Sequence, residues 1–172
     1  MESTDHRRFE ELILPHLDAG YALARWLLRA DEDARDVVQE GALRAVRAFG
    51  GYRGGDPRAW FLAIVRNTAW SWRRKHRRDA EWEEFDDELH GGADPSRDAD
   101  LDRLGAVEQV HAALGRLAPE YRDVIVLREF EGLSYREIGE AIGVPVGTVM
   151  SRLSRARKRL EELLIRSERS AR

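Results

Sequence analysis

Apolar and polar positions between residues 121 and 160 predict two short helices joined by a tight turn. Ser134 precedes Glu137 by three residues, which is the spacing of a capping box that starts a helix. Gly143 ends this helix, and Pro145 stands near the first position of the next one. This order of signals is typical of a helix-turn-helix.

The second helix of this unit is predicted to be amphipathic. At about 100° per residue its apolar positions share one side, which we expect to pack on the preceding helices. These positions are Val146, Val149, Leu153, Ala156 and Leu160. The opposite side and its shoulder carry small polar residues first and cations afterwards, namely Gly147, Thr148, Ser151, Arg152, Arg155 and Lys158. Such a helix places its first residues against base edges in the major groove and its cations against bases or phosphates. A basic face alone is more often only solvated, but capped helix, turn and basic helix together favour DNA binding.

The first half of the chain also shows helical periodicity. Apolar residues recur at helical spacing over residues 9–28, where Pro15 and Gly20 are expected to bend or interrupt the segment. Acidic residues then start an amphipathic helix over residues 31–49. The glycine-rich stretch at 50–57 predicts a loop, and its glycines lack the spacing of a phosphate-binding loop.

The helix predicted over residues 57–78 changes character along its length. Its first half is apolar, and we expect Trp60 to lie in the core. Its second half mixes cations with aromatic rings, which suits DNA that is being opened, because rings stack on exposed bases while cations bind phosphates. The residues with this pattern are Arg66, Asn67, Trp70, Trp72, Arg73, Arg74, Lys75, His76, Arg77 and Arg78. Whether Trp70 and Trp72 face the core or DNA stays open at this point.

Charge is unevenly distributed along the chain. The net charge is −3, but residues 1–78 carry 15 basic and 11 acidic side chains, residues 79–102 carry 1 and 11, and residues 103–172 carry 13 and 10. Two mildly basic segments therefore flank an acidic one, which favours a polyanionic partner at both ends. The acidic segment contains Gly-Gly and Pro without sustained periodicity, so we expect a flexible linker. The sequence thus predicts an all-α fold with two small helical domains, at 1–78 and 105–172, joined by an acidic flexible linker at 79–104.

Composition argues against several other classes of protein. The chain has no cysteine, which excludes disulfides and thiolate metal sites and fits a reducing cytoplasm. The five histidines are scattered without metal-binding spacing, and the linker carboxylates have no fixed geometry for acid–base chemistry. The polar N-terminus does not suggest a signal peptide, and no apolar run is long enough to cross a membrane. We therefore expect no catalytic residue, no metal, no cofactor, no membrane contact and a cytoplasmic location.

Three stretches resemble one known family. LSYREIGEAIGVPVGTVMSRLSRARKRL is similar to region 4 of the extracytoplasmic-function (ECF) group of bacterial sigma factors, within the sigma-70 family. DARDVVQEGALRAVRAF and WFLAIVRNTAWSWRR resemble blocks of region 2 of the same group. The chain departs from the family pattern at Gly41-Ala42, where a Thr-Phe pair is common, and at Ser71, where Asp is usual. Ala118 and Gly139 are smaller departures.

The resemblance implies partners and residue roles. Domain 1–78 would bind core RNA polymerase and capture the −10 promoter element, and domain 105–172 would read the −35 element. Core contacts, which in the family include the coiled coil of the beta-prime subunit, would be Asp36, Gln39 and Glu40. Contacts to −10 DNA would be Tyr52, Arg53, Arg66, Asn67, Trp70, Arg73, Arg74 and Arg77. Contacts to −35 DNA would be Thr148, Ser151, Arg152, Arg155 and Lys158. The implied partners are the beta-prime and beta subunits, promoter DNA and an anti-sigma factor, with a monomer as the free form.

Two other classes of protein share features with this sequence. The first is a helix-turn-helix transcription regulator that acts without polymerase core, but such regulators need a receiver domain with β-strands, and this chain reads all-helical. The second is a polymerase-binding or anti-sigma-like protein that has lost DNA binding. Against it, Ser151, Arg152 and Arg155 remain on the outer face of the second helix.

Overall fold

The computed structural model describes residues 3–28, 30–80 and 98–170, and their regular structure is entirely helical. The helices are α1 (Ser3–Ile13), α2 (Leu17–Leu28), α3 (Asp31–Ala48), α4 (Pro57–Ala80), α5 (Asp98–Arg116), α6 (Pro119–Ile125), α7 (Tyr135–Ile142) and α8 (Val146–Ser170). Short 3₁₀ turns lie at Leu14–His16 and Phe49–Gly51, and α6 continues as a π-helical segment at Val126–Phe130. The predicted all-α class is confirmed. Residues 98–104, which the sequence assigned to the linker, form the first turns of α5.

Helices α1 to α4 form the N-terminal lobe, and its hydrophobic core is centred on the apolar half of α4. Phe61 and Val65 are fully buried there, and α2 and α3 pack closely against them. A Cβ atom at Gly20 would lie 2.7 Å from Cε1 of Phe61, and one at Gly41 would lie 3.2 Å from Cγ2 of Val65. The departure from the family pattern at Gly41 therefore serves close helix packing. Gly20 lies inside α2 without interrupting it, whereas Pro15 lies in the 3₁₀ turn that separates α1 from α2.

An aromatic cluster holds the loop between α3 and α4. The Tyr52 ring is 8% exposed and packs between Phe49 and Trp60, with centroid separations of 5.7 and 5.1 Å. Its hydroxyl donates a hydrogen bond to the carbonyl oxygen of Gly55 at 2.7 Å. The expectation that Trp60 packs in the core is confirmed by its contacts with this cluster.

Helices α5 to α8 form the C-terminal lobe, which contains the predicted helix-turn-helix. The capping box is present, since Ser134 Oγ accepts from the Glu137 backbone at 3.2 Å and the Glu137 carboxylate accepts from the Ser134 backbone at 2.7 Å. Gly143 ends α7 with φ of +71°, a left-handed conformation that favours glycine. A Cβ atom at Gly139 would lie only 2.7 Å from the carbonyl oxygen of Val144, so this turn also requires a residue without a side chain at position 139.

The amphipathic pattern of α8 is mostly confirmed. Val149, Leu153 and Ala156 are buried, and Leu160 is half-buried. The prediction for Val146 is wrong, because its side chain is 42% exposed. Val146 is the first residue of α8, directly after the turn, where the chain is more exposed than in the middle of the helix.

The two lobes contact each other through several elements. Helix α4 packs against α7, and α2 packs against α5 and the π-helical segment. The Trp26 ring of α2 lies against His111 and Phe130 of the C-terminal lobe, at centroid separations of 4.2 and 4.1 Å. The cores of the two lobes are therefore joined by an aromatic contact.

Candidate nucleic-acid interfaces

The first candidate interface is the outer face of α8. The predicted −35 contacts lie together on this helix, where Ser151, Arg155 and Lys158 are exposed and Thr148 and Arg152 are half-buried. Within the part of the chain that the structure describes, none of the three cations forms an ion pair with a carboxylate. The hydroxyl of Ser151 donates a hydrogen bond to the Thr148 carbonyl oxygen at 3.0 Å. The face is thus preformed, cationic and open to solvent.

Two exposed apolar residues on α8 were missed by sequence reasoning as candidate contacts. Met150 is 53% exposed and Val146 is 42% exposed, one helical turn apart. Val146 was assigned to the buried stripe, and Met150 lies beside that stripe without belonging to it. Helical angles place Met150 about 80° from the centre of the buried stripe, and this angle was the available signal.

The second candidate interface is the cationic and aromatic half of α4. Asn67 and Arg74 are exposed, Trp70 is 37% exposed, and Arg73 is half-buried. The side chain of Arg77 lies outside the part of the chain that the structure describes. On the neighbouring loop Arg53 is exposed, whereas the buried Tyr52 ring supports the loop from inside.

Two members of the α4 surface are engaged by the other lobe. Asp123 of α6 is 1% exposed, and its Oδ2 accepts hydrogen bonds from Arg66 Nε at 2.8 Å and from Trp70 Nε1 at 2.7 Å. Arg66 Nη2 donates to the same oxygen, and the guanidinium lies 5.1 Å from the centroid of the Trp70 ring. Asp123 Oδ1 is buried without a hydrogen-bond partner among the described residues. The Asp123 carboxylate therefore binds both Arg66 and Trp70 of α4.

A second ion pair joins the lobes at the start of α4. Arg58 donates to the Glu131 carboxylate at 2.6 Å and to the Glu131 carbonyl oxygen at 2.7 Å. Glu131 is 7% exposed, and this burial raises the pKa of its carboxyl group although the Arg58 guanidinium acts in the opposite direction. We call the arrangement fixed by Arg58–Glu131 and Arg66/Trp70–Asp123 the closed arrangement.

The open question about the two tryptophans of α4 is answered by their surroundings. A groove of about 430 Å³ is lined by residues of α4 together with Leu28, Asp33 and Pro119. Both tryptophans line this groove, but Trp70 donates a hydrogen bond to Asp123, whereas Trp72 packs against the core and stacks on His76 at 4.4 Å. Trp70 therefore belongs to the contact between the lobes, and Trp72 packs α4 against the core.

The predicted polymerase-binding residues share the outer side of α3. Asp36 and Gln39 are exposed, and Glu40 is half-buried. Glu40 accepts a hydrogen bond from Arg44 Nε at 2.8 Å, which lowers the pKa of the Glu40 carboxyl group. The carboxylates present a continuous acidic surface of about one helical turn.

The described residues also bear on metal binding and on membrane crossing. They contain no cluster of histidine, cysteine, aspartate or glutamate with the arrangement of a metal site. None of the described helices combines the length and apolar character that crossing a membrane requires.

Comparison with known proteins gives matches in both lobes. The family model for sigma-70 region 2 matches residues 12–79, and the model for sigma-70 region 4 matches residues 107–160. The chain is 36% identical over 159 residues to the ECF RNA polymerase sigma factor SigE of Mycolicibacterium smegmatis, covering 91% of this chain and 61% of that relative. It is 34% identical over 175 residues to the RNA polymerase sigma-H factor of Pseudomonas aeruginosa, covering 93% and 88%.

Solved structures give the same result. The chain is similar to the sigma factor RpoE crystallised with the anti-sigma factor NepR from Bartonella quintana, with a TM-score of 0.73, 30% identity and coverage of 92% of this chain and 97% of that one. It is also similar to CnrH in complex with the cytosolic domain of CnrY, with a TM-score of 0.66, 29% identity and coverage of 92% and 88%.

Proposed function

Since the chain belongs to the ECF group of sigma-70 RNA polymerase sigma factors, we propose a division of labour between its two lobes. The chain is an alternative sigma factor that binds core RNA polymerase and directs promoter-specific initiation. The N-terminal domain, residues 1–78, binds core and the −10 element, and the C-terminal domain, residues 105–172, reads the −35 element. The observation that carries this proposal is that the region 2 model matches residues 12–79 and the region 4 model matches residues 107–160 of one chain.

The C-terminal domain docks α8 in the major groove. Its first turns are narrow because Gly147 and Ser151 have small side chains, and the cations Arg152, Arg155 and Lys158 follow further along. Narrow first turns admit the helix to base edges, while the guanidinium and ammonium groups bind bases or phosphates. Thr148 and Ser151 contribute polar atoms near the groove floor.

The N-terminal domain binds the opened −10 DNA along α4. Asn67, Arg73, Arg74 and Arg77 supply polar and cationic contacts, with Arg53 on the neighbouring loop. Tyr52 acts as a loop-positioning residue, because its ring is buried and its hydroxyl holds Gly55. Arg66 and Trp70 become available when Asp123 releases them, so binding of −10 DNA is coupled to separation of the lobes.

Core polymerase binds the acidic side of α3 through Asp36, Gln39 and Glu40, by way of the beta-prime subunit, and the C-terminal lobe contacts the beta subunit. Glu40 exchanges its Arg44 partner for a polymerase cation on binding. The chain supplies differential binding to promoter DNA, and polymerase supplies the catalysis. The free chain is a monomer in the cytoplasm, where its polymerase and DNA partners are.

An anti-sigma factor controls this sigma factor. The support is the likeness to RpoE and CnrH, whose structures are titled as complexes with NepR and with the cytosolic domain of CnrY. A transcription regulator that acts without polymerase is not favoured, because the region 2 model matches residues 12–79.

The experiment that tests core binding is co-elution of the purified chain with sigma-free core polymerase. We expect wild type to form a stable complex that the double variant Asp36→Lys/Glu40→Lys loses, since two charge reversals face the same partner surface. The matched control is Glu11→Lys/Asp18→Lys, which changes the net charge equally at exposed positions of α1 and α2 outside the proposed interfaces. Equal binding by wild type and the α3 variant would refute the α3 assignment, and no complex with core would refute the sigma function.

A further inference from the structure

Helix α8 presents an apolar edge where it would enter DNA. Val146 and Met150 are 42% and 53% exposed, whereas Val149 and Leu153 on the neighbouring side are buried at 0% and 1% exposure. About half of the surface of each residue stays open to solvent in the folded chain, so both residues are accessible to a ligand. Single exposed apolar residues are common, but these two lie one turn apart at the start of the second helix of a helix-turn-helix.

The position of this edge follows from helix geometry. At about 100° per residue, Val146 and Met150 are about 40° apart, and Met150 lies about 100° from Ser151. The first turns of α8 therefore present two apolar side chains beside the small residues Gly147 and Ser151. The cations Arg155 and Lys158 lie one to two turns further along, on the side of Ser151.

The Ser151 hydroxyl, at the centre of the polar face of α8, has limited capacity to donate a hydrogen bond to a base. The Ser151 hydroxyl donates its proton to the Thr148 carbonyl oxygen at 3.0 Å, which leaves its oxygen as an acceptor. The apolar edge can therefore add to the discrimination that Thr148 and Arg152 provide on the first turns of α8. In the major groove of B-DNA the apolar group on display is the C5-methyl group of thymine.

We propose that Met150, supported by Val146, is a specificity-determining residue that contacts the C5-methyl group of a thymine in the −35 element. The proposal rests on the proposed function of α8. DNA is the occupant that the charges favour, because the same helix carries cations that attract phosphates. The sulfur-containing side chain of Met150 is long and flexible enough to follow the groove wall.

The test replaces thymine by deoxyuridine, which removes only the methyl group. The wild-type chain in complex with core polymerase is used to select −35 sequences from a duplex library randomised at that element. Selected duplexes are then prepared with each thymine replaced singly by deoxyuridine, and their affinities are compared. We expect a loss of about fourfold at one or two positions, the factor that corresponds to burying one methyl-sized group.

Variants of the chain assign the contact. Met150→Ala should bind the thymine and deoxyuridine duplexes equally at the affected position, while Met150→Leu should keep the preference because it keeps an apolar side chain. Val107→Ala removes a comparably exposed apolar residue, 46% exposed on α5, and should behave as wild type.

The outcomes separate this inference from the function on which it rests. Sequence-specific selection without any deoxyuridine effect would overturn the thymine contact and leave −35 recognition intact. A deoxyuridine effect that persists in Met150→Ala would overturn the assignment to Met150. Selection of no −35 sequence would overturn both the inference and the proposed role of α8.

Discussion

The two surfaces proposed to bind DNA, on α8 and on α4, differ in how accessible they are in the free chain. The face of α8 is exposed, and its cations form no ion pairs within the described residues. On α4, by contrast, Arg66 and Trp70 both donate to the buried carboxylate of Asp123. A ligand can reach α8 without rearrangement, whereas full use of α4 requires the lobes to separate. The comparison teaches that one chain can combine a surface that is accessible in the free form with a surface that is partly covered by the other lobe.

Asp123 restricts access to the α4 surface both sterically and electrostatically. Asp123 is 1% exposed, and a buried carboxylate that loses its cation costs about 3–5 kcal/mol. The closed arrangement therefore depends on Arg66 and, at the other end of the contact, on Arg58. A partner that supplies new contacts to the separated lobes can shift the equilibrium only by its preference for that state.

The largest expected effect comes from reversing charge on the open surface. In Arg152→Glu/Arg155→Glu we expect promoter-specific transcription to fall by about 100-fold or more, since each arginine contact to DNA is worth about 1–3 kcal/mol. Core binding should be unchanged, because both residues lie far from α3 in the chain and in the other lobe. Transcription is measured in vitro with reconstituted holoenzyme. Unchanged promoter-specific output would contradict the assignment of the α8 surface.

A smaller effect is expected from removing the Asp123 carboxylate. Asp123→Ala should strengthen binding of the free chain to a single-stranded −10 oligonucleotide by about tenfold, because the hydrogen bonds that hold Arg66 and Trp70 are lost. Fluorescence anisotropy measures the affinity, and far-UV circular dichroism checks that the variant stays folded. Asp123→Asn, which keeps the shape of the side chain, should show a smaller gain in the same direction.

The control for this prediction is Glu129→Ala. It removes the exposed pair that Glu129 forms with Arg157 at 2.6 Å within the C-terminal lobe, and it leaves the contact between the lobes intact. Its affinity for the −10 oligonucleotide should equal that of wild type. If a folded Asp123→Ala chain showed no gain, Asp123 would not guard the α4 surface.

The smallest expected effect is a dependence of closure on pH. Burial raises the pKa of Glu131 in the closed arrangement, and separation of the lobes returns the group to water and lowers that pKa. The closed form therefore binds a proton more tightly, so closure is favoured as pH falls through the raised pKa and weakens as pH rises through it. The closed fraction should increase in wild type as the pH falls through the raised pKa of Glu131, and it should increase less in Glu131→Gln. Equal pH profiles for the two chains would exclude Glu131 as the titrating group.

The sequence predicts the local features of this molecule well. The capping box at Ser134 and Glu137 and the left-handed Gly143 are short-range signals, so the helix-turn-helix could be read from a few neighbouring residues. Helix α4 was likewise predicted within a few residues of its bounds. Such features depend on interactions between residues three or four positions apart.

Contacts between distant residues could not be predicted in the same way. Arg66 and Asp123 are 57 positions apart, and no periodicity links them. Tyr52 was read as a base contact, but it is buried because the aromatic cluster with Phe49 and Trp60 forms only in the folded lobe. The exposure of Val146 depends similarly on which helix covers the start of α8.

The central claim is that the lobes are closed in the free chain and must separate before α4 can bind −10 DNA. We expect this separation on core polymerase, because the two lobes contact different subunits there. Because the chain has no cysteine, Glu11→Cys on α1 and Glu140→Cys on α7 would carry the two spin labels alone, at exposed positions outside the proposed interfaces. Dipolar spectroscopy measures the distance between them. The account predicts one short distance in the free chain, replaced by a longer one when core polymerase is added, and a mixture of both in free Asp123→Ala. The same distance in the free and core-bound chain would contradict it.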